Sequence, residues 1–350
     1  MLFQMKKKQD ALILQGGGAL GAYEVGVIER LMEHPGFQPE VITGVSIGAI
    51  NAAALAGAPQ SPMSNLKAMW EEFTVDAPLL VPEMLAPYMS VFGNQGFYRM
   101  RTDLAVMPFW TSFYDTSPLR AVLEKYIDFE ALNKSKVKVA VTAANVRTGK
   151  VDVFDNHSSR KLLPEHLLAS GSLPPGFPMT RVGEEWYWDG GLFDNTPLLP
   201  AIERLDSDPE VQKRLFVVKL FPGEGPLPQN MNEVFDRILE IVFAGKMSQD
   251  VKTAERVNEY IGLVHRIDEL LAGAEDPDAA AEIRDLPGYK RLQQYKALQQ
   301  IVCIENKDPE IVTGPFDFSR KRIEQRMEAG YRDADEALEA VEKKEAVGGE

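Results

Sequence analysis

The 350-residue chain has one cysteine, four histidines and fewer positive than negative charges. With Cys303 alone, no disulfide can form within the chain; a reducing compartment fits that count. Cys303 stands in the apolar run Ile301-Val302-Cys303-Ile304, which reads as a buried strand thiol with no activating motif around it. Thirty-eight Lys and Arg against 52 Asp and Glu give a formal net charge of −14. That sum opposes attraction to nucleic acid or anionic lipid, both polyanions, and leaves room for a local basic or apolar docking patch. No apolar run is long enough to span a bilayer. The first ten residues are polar and lysine-rich, unlike the apolar stretch of a signal peptide. The expectation is a cytoplasmic protein, with peripheral contact to a membrane or lipid surface left open. Composition sets no oligomeric state.

What is present is an ordinary globular balance, 45% apolar and 26% charged, enough to bury a sizeable core. Residues 11–14 form a short continuous apolar run, the pattern of a buried strand, ended by glycines. Residues 22–33 set Tyr23, Val27, Ile28 and Leu31 on one side of a helix. Residues 40–43 predict a second strand stopping at Gly44, and the alanine-rich residues 47–58 a tightly packed helix. Strand–turn–helix repeated twice within about sixty residues predicts parallel strands covered by helices on both faces.

Further along, residues 136–146 and 150–154 predict a hairpin turning at Arg147-Thr148-Gly149. Trp186-Tyr187-Trp188 reads as a strand leading into Asp189, and residues 215–221 as a buried strand. Residues 233–271 read as mostly helical, 273–287 as an acidic, alanine-rich connection, and 300–305 as a strand. Residues 319–344 read as a charged packing helix, with Ile323, Met327 and Leu338 apart from a solvated cluster of Arg320, Lys321, Arg322 and Arg326. Residues 84–98 carry no charge but hold Met84, Leu85, Met89, Val91, Phe92 and Phe97. Their prolines and glycines oppose one continuous helix; a lid, an acyl-chain channel, ordinary core and a dimer contact all fit.

Three short motifs carry chemistry. Gly44-Val45-Ser46-Ile47-Gly48 places a serine between glycines at a strand-to-helix junction. Such a turn lifts the hydroxyl clear of the backbone and sets it at a helix N-terminus. Gly16-Gly17-Gly18-Ala19-Leu20-Gly21 offers backbone N–H groups that no side chain blocks, suited to an oxyanion. Gly16, Gly18 and Gly21 also match a dinucleotide loop. That reading needs an acidic residue ending the second strand, where Thr43-Gly44 stands instead. Asp189-Gly190-Gly191 delivers an aspartate from an aromatic strand into a turn; alone, it also reads as a turn aspartate capping its own backbone. His34, His157, His166 and His265 have no motif around them, so a serine–histidine pairing rests on proximity in space alone.

Together with Ala169-Ser170-Gly171-Ser172-Leu173-Pro174-Pro175-Gly176-Phe177-Pro178, Asn51 and Asn195-Thr196-Pro197, these motifs resemble the patatin-like phospholipase family in order and rough spacing. The resemblance covers about residues 11–221. It implies a three-layer α/β/α fold with a central, mostly parallel sheet and a helical C-terminal extension. The hydrolase core is then 8–222, and the helix-rich region 223–350 completes or extends it. It implies a lipid acyl hydrolase, a serine esterase of the phospholipase A or lysophospholipase kind, working on lipid without metal or cofactor. Ser46 is then the nucleophile, Asp189 its base, and Gly16, Gly17 and Gly18 the oxyanion loop. Gly21, Gly44, Gly48, Gly190 and Gly191 support them. Where some relatives carry a basic residue in that loop, Ala19-Leu20 offers none to meet a substrate phosphate. A catalytically silent lipid-binding or regulatory protein of the same fold is the alternative; intact Ser46 and Asp189 weigh against it.

Overall fold

Strand β1 (Lys8–Leu14) sends Leu12 and Leu14 to one face of a sheet and Ala11 and Ile13 to the other, and each side meets its own apolar cluster. The computed structural model describes residues 7–77, 85, 89–206, 208, 211–244, 260, 263–264, 266–273, 276–293, 298–307 and 314–347. After β1 come α1 (Gly21–Glu33), β2 (Pro39–Val45), α2 (Ile47–Ala56) and α3 (Pro62–Phe73). A small antiparallel sheet follows, of β3 (Gly93–Asn94), β4 (Tyr98–Met100) and β5 (Tyr114–Asp115). Helices α4 (Ser117–Tyr126) and α5 (Phe129–Lys134) precede β6 (Lys138–Asn145), β7 (Val151–Asp155), α6 (Pro164–Ser170), β8 (Thr180–Val182) and β9 (Glu185–Asp189). Then come α7 (Leu198–Arg204), β10 (Gln212–Lys219), α8 (Met231–Ala244), α9 (Pro277–Asp285), α10 (Pro287–Gln293), β11 (Gln300–Glu305) and α11 (Arg320–Val347).

The main sheet runs β11-β10-β1-β2-β6-β9-β8, with β7 also on β6. From β11 to β6 every pairing is parallel, while β7, β8 and β9 join antiparallel. The larger apolar cluster holds Ile28, Leu31, Ile50, Trp70 and Leu338, from α1, α2, α3 and α11. The opposite cluster holds Leu198 and Ala201 of α7 with Leu205. The sheet is therefore mostly parallel with helices on both faces, as expected. No helix among the described residues is long and apolar enough to cross a membrane.

Helix α11 crosses α1 at two glycines. A Cβ on Gly26 would stand 1.8 Å from the Met327 carbonyl oxygen, and one on Gly330 2.0 Å from that of Tyr23. Beside this contact the buried Tyr23 hydroxyl donates to Asp333 Oδ2 at 2.9 Å.

The structure corrects four expectations. Strand β2 continues through Gly44 to Val45, because Gly44 and Val45 still pair with Val141 and Thr142 of β6. The stretch 273–287 contains α9: its alanines favour a helix that starts with proline at its first position. Cys303 is exposed, because β11 ends the strand order; Val302 and Ile304 enter the larger cluster, and on the Cys303 side Ile301 is partly buried against the smaller one. Arg326 is buried with Ile323 rather than grouped with the solvated basic residues of α11. Within 233–271, helix is seen at 231–244 and 266–272; much of the rest lies outside the described residues.

Candidate active site

Ser46 caps the N-terminus of α2 with φ +54° and ψ −124°, the one non-glycine residue of positive φ among the described residues. Such backbone costs about 1–3 kcal/mol and persists where its surroundings impose it. Here the Ser46 N–H donates to Ser170 Oγ at 2.9 Å, and that hydroxyl donates to the Thr142 carbonyl at 2.8 Å. The Ser46 carbonyl accepts from Ala49 and Ile50 at 3.1 and 3.2 Å, which starts the helix. The flanking glycines are required by space. A Cβ on Gly44 would lie 2.4 Å from Gly48 backbone atoms, and one on Gly48 2.6 Å from the Gln15 carbonyl oxygen.

Asp189 ends β9, where its N–H donates to the Ser172 carbonyl at 3.0 Å. The residue is 3% exposed. Burial raises its carboxyl pKa to about 7, opposed by hydrogen bonds from the Ser46 side chain and the Gly191 N–H, which favour the ionised form. The Gly191 bond to Asp189 Oδ1 measures 2.8 Å. Gly190 packs on Thr142, leaving no room for a side chain.

The glycine loop leaves β1 beside Ser46: a Cβ on Gly16 would stand 2.9 Å from Ser46 Cβ. The Gly16 N–H donates to Asn195 Oδ1 at 3.2 Å, and Asn195 Nδ2 donates back to the Gly16 carbonyl at 2.9 Å. The Gly16 N–H is thus taken, while among the described residues no acceptor meets the N–H of Gly17 or Gly18. Gly21 sits behind the loop against Ile47. The residues after Asn195 tie the same corner together. Gln15 Nε2 donates to Thr196 Oγ1 at 2.6 Å, and Thr43 Oγ1 donates to the Pro197 carbonyl at 2.9 Å.

Gly16, Gly17, Gly18, Ser46, Asp189 and Asn195 all border one cavity of about 230 Å³. Most of its remaining wall is apolar and aromatic. Tyr98 stands 5.2 Å from Phe177 and 4.8 Å from Tyr114 between ring centroids, and Phe97 5.6 Å from Phe318. Such a wall with few polar groups suits an apolar ligand. Phe97 and Tyr98, from the uncharged stretch 84–98, are in it, whereas Phe92 is 70% exposed and Met84 lies outside the described residues.

Of the histidines, His34, His157 and His166 are described and none borders the cavity. His166 is buried on the Phe154 ring, its pKa lowered by that burial, and its Nδ1 accepts the Leu163 N–H at 2.9 Å. His34 Nε2 contacts Glu342 Oε1 at 3.1 Å, and His157 is exposed in a loop. His265 lies outside the described residues.

Several residues that shape the site escaped sequence reading. Ser170 and Asn195 were visible as motif members, but nothing local told what they bind. Glu24 carried no signal, being one acidic residue among apolar ones in α1. It is fully buried, and burial pushes its carboxyl pKa well above the usual range. Its Oε2 accepts from Asn51 Nδ2 at 2.9 Å. Asn51 also donates to the Gly21 carbonyl at 3.1 Å and accepts from Trp70 Nε1 at 2.8 Å. Phe243 and Phe318 border the cavity from far along the chain, with no motif to announce them.

Comparison with known proteins adds independent findings. A family model described as patatin-like phospholipase matches residues 12–202, and a second, described as patatin phospholipase, matches 241–348. The cGAMP-activated phospholipase of Pseudomonas aeruginosa is 29% identical over 199 residues, 53% of each chain. Lysophospholipase nte1 of Aspergillus terreus is 34% identical over 112 residues, 29% of this chain and 7% of that protein. The chain thus spans about half the length of the first relative and a small part of the second. Among solved structures, VipD from Legionella pneumophila aligns over 96% of this chain and 67% of its own, at 15% identity and a TM-score of 0.40.

Proposed function

The chain belongs to the patatin-like phospholipase family, and from that premise we propose that it is a lipid acyl hydrolase working through Ser46 and Asp189. One observation carries the reading: the strained Ser46 and the buried Asp189 open together onto an apolar cavity rimmed by the glycine loop. In this reading Ser46 Oγ attacks an ester carbonyl while its proton passes to Asp189. An ordinary aspartate, with a pKa of about 3.9, is a weak base for a hydroxyl. Asp189, raised to about 7, is better matched to the task near neutral pH. The N–H groups of Gly17 and Gly18 receive the developing oxyanion, helped by the N-terminus of α2. Asp189 returns the proton to the departing alcohol. It then takes a proton from the water that attacks the acyl-enzyme, releasing fatty acid and restoring Ser46.

The apolar wall supports an acyl chain as the group recognised, hence glycerolipid or lysolipid esters as the substrate class. Residues 8–222 form the hydrolase core in this reading. Residues 223–350 extend it, through β11 on the sheet edge and α11 against α1.

Hydrolysis of a short-chain reporter ester tests the assignment. Ser46→Ala and Asp189→Asn should each lower kcat by on the order of 10⁴-fold with the fold intact. A fluorophosphonate probe should label the wild type at Ser46. A folded wild-type protein that neither turns over ester nor takes the label would instead be a silent lipid-binding protein. Mass spectrometry of a lipid extract treated with wild type or Ser46→Ala would then identify the lipid cleaved.

A further inference from the structure

We propose that the segment just before α11, Gly314–Phe318, belongs to the substrate site: it forms one wall of the acyl cavity, sets the acyl-chain preference, and is positioned by Arg326. The proposal rests on the hydrolase reading for its kinetic consequence, but its structural basis is separate.

Pro315, Phe316 and Phe318 border the same cavity as Ser46 and Asp189, although they lie far from both in sequence. The segment is seated directly on the glycine loop. Gly18 has φ +56°, and a Cβ there would stand 2.4 Å from the Pro315 carbonyl oxygen. Any side chain at position 18 would push the turn away, so loop and turn fit only as a pair. Phe318, 2% exposed, reaches inward to Phe97 at 5.6 Å and Trp70 at 6.5 Å between ring centroids. Phe316 is 45% exposed, so its ring is shared between cavity wall and solvent. One ring is thus deep and one at the rim, an arrangement able to discriminate an acyl chain by length.

What holds this wall is Arg326, 3% exposed in α11. Its Nη1 donates to the Asp317 carbonyl at 2.6 Å and its Nη2 to the Gly314 carbonyl at 2.8 Å. The planar guanidinium grips the turn at two points with two nitrogens fixed in one plane. On the other side, Val75 N–H donates to the Phe318 carbonyl at 2.8 Å, and the Ser319 N–H donates to Asp317 Oδ1 at 3.0 Å. The C-terminal region matched by the second family model therefore contributes side chains to the site itself.

The test uses the full chain in four variants: Phe316→Asp, Phe318→Leu, Arg326→Gln and Arg326→Lys. Two readouts are taken. One is the ratio of kcat/KM for p-nitrophenyl palmitate over p-nitrophenyl butyrate. The other is fluorescence binding of cis-parinaric acid, which needs no turnover. Phe316→Asp should lower both the ratio and the parinarate affinity by roughly tenfold, as loss of apolar pocket contact does. Phe318→Leu should raise the ratio by deepening the cavity. Arg326→Gln should lower the ratio with the short-chain kcat/KM near wild type, whereas Arg326→Lys, which keeps donors for the two carbonyls, should restore part of the ratio. Circular dichroism and melting identify folded variants, and Phe316→Asp, at a half-exposed position, keeps the test open if Phe318→Leu unfolds. Folded Phe316→Asp with wild-type ratio and wild-type parinarate affinity would overturn the proposal. So would a wild type that binds no parinarate. Parinarate binding that weakens in Phe316→Asp, in a wild type without turnover, would support the wall and sink the hydrolase reading instead.

Discussion

Asn195 holds both backbone polar groups of Gly16, accepting its N–H at 3.2 Å and donating to its carbonyl at 2.9 Å. The two residues are 179 positions apart, so this one amide joins the loop after β1 to the loop after β9. It fixes the glycine loop relative to Asp189 while occupying the Gly16 N–H. Asn195→Ala leaves two buried backbone groups unpaired, each costing about 1–3 kcal/mol. We expect a lower melting temperature and a kcat reduced by roughly 10²-fold, since small misplacements of the reacting groups are that costly. KM for a short-chain ester should change little. Steady-state kinetics at a temperature where the variant is folded checks the split.

Burial raises the Asp189 carboxyl pKa to about 7, and the proposed mechanism uses this carboxylate as its base. The base works ionised, so kcat/KM should rise with pH through about 7 and fall on the acid side. Stability runs the other way. From the unfolded value near 4 up to about 7, the folded state keeps a proton that the unfolded state has released. That group's contribution therefore declines as pH rises through the window. Asp189→Asn should gain melting temperature relative to wild type at pH 8 and not at pH 4. An equal shift at both pH values would mean that burial does not perturb this carboxyl.

Glu24 is fully buried, and the cost of desolvation pushes its carboxyl pKa well above the usual range. Glu24→Gln keeps the shape and an acceptor for Asn51, so activity and folding at neutral pH should stay near wild type. As pH rises above the usual carboxylate range, towards pH 9, the variant should gain stability relative to wild type, because it has no proton to lose. Denaturant titrations at both pH values read this out.

The turn at Ser46 leaves no space at Gly48. Gly48→Ala drives a Cβ into the Gln15 carbonyl and should destabilise by about 1–3 kcal/mol or more, with loss of esterase activity. Gly149 is the contrast. Its φ is +67°, but nothing lies within 4 Å, so Gly149→Asn should stay within about 0.5 kcal/mol of wild type. Chemical denaturation of both variants tests whether space or backbone angle dominates.

The strand–turn–helix units, the hairpin at 146–149 and strand 300–305 were legible in the sequence, because each is specified by apolar spacing and turn residues within about ten positions. Gly44 reads locally as a stop, whereas pairing with β6 carries β2 on to Val45. The run around Cys303 reads as buried, because an apolar run does not reveal that its strand ends the order. Arg326 reads as solvated because charge clusters usually are, and its two carbonyl partners come from a turn that no periodicity connects to it.

The sequence by itself determined the two strand–turn–helix units, the hairpin and the strand at 300–305, and that a serine, an aspartate and a glycine loop occur in a recognisable order. These are properties of neighbouring residues, and glycine spacing and apolar period express them directly. Only the tertiary structure decided that Asn195 takes the Gly16 N–H, that Glu24 is fully buried, and that Phe318 shares a cavity with Ser46. Each of these joins residues far apart in the chain. Such contacts arise when strands order themselves in a sheet and a C-terminal helix docks at two glycines, and no local pattern encodes that closure.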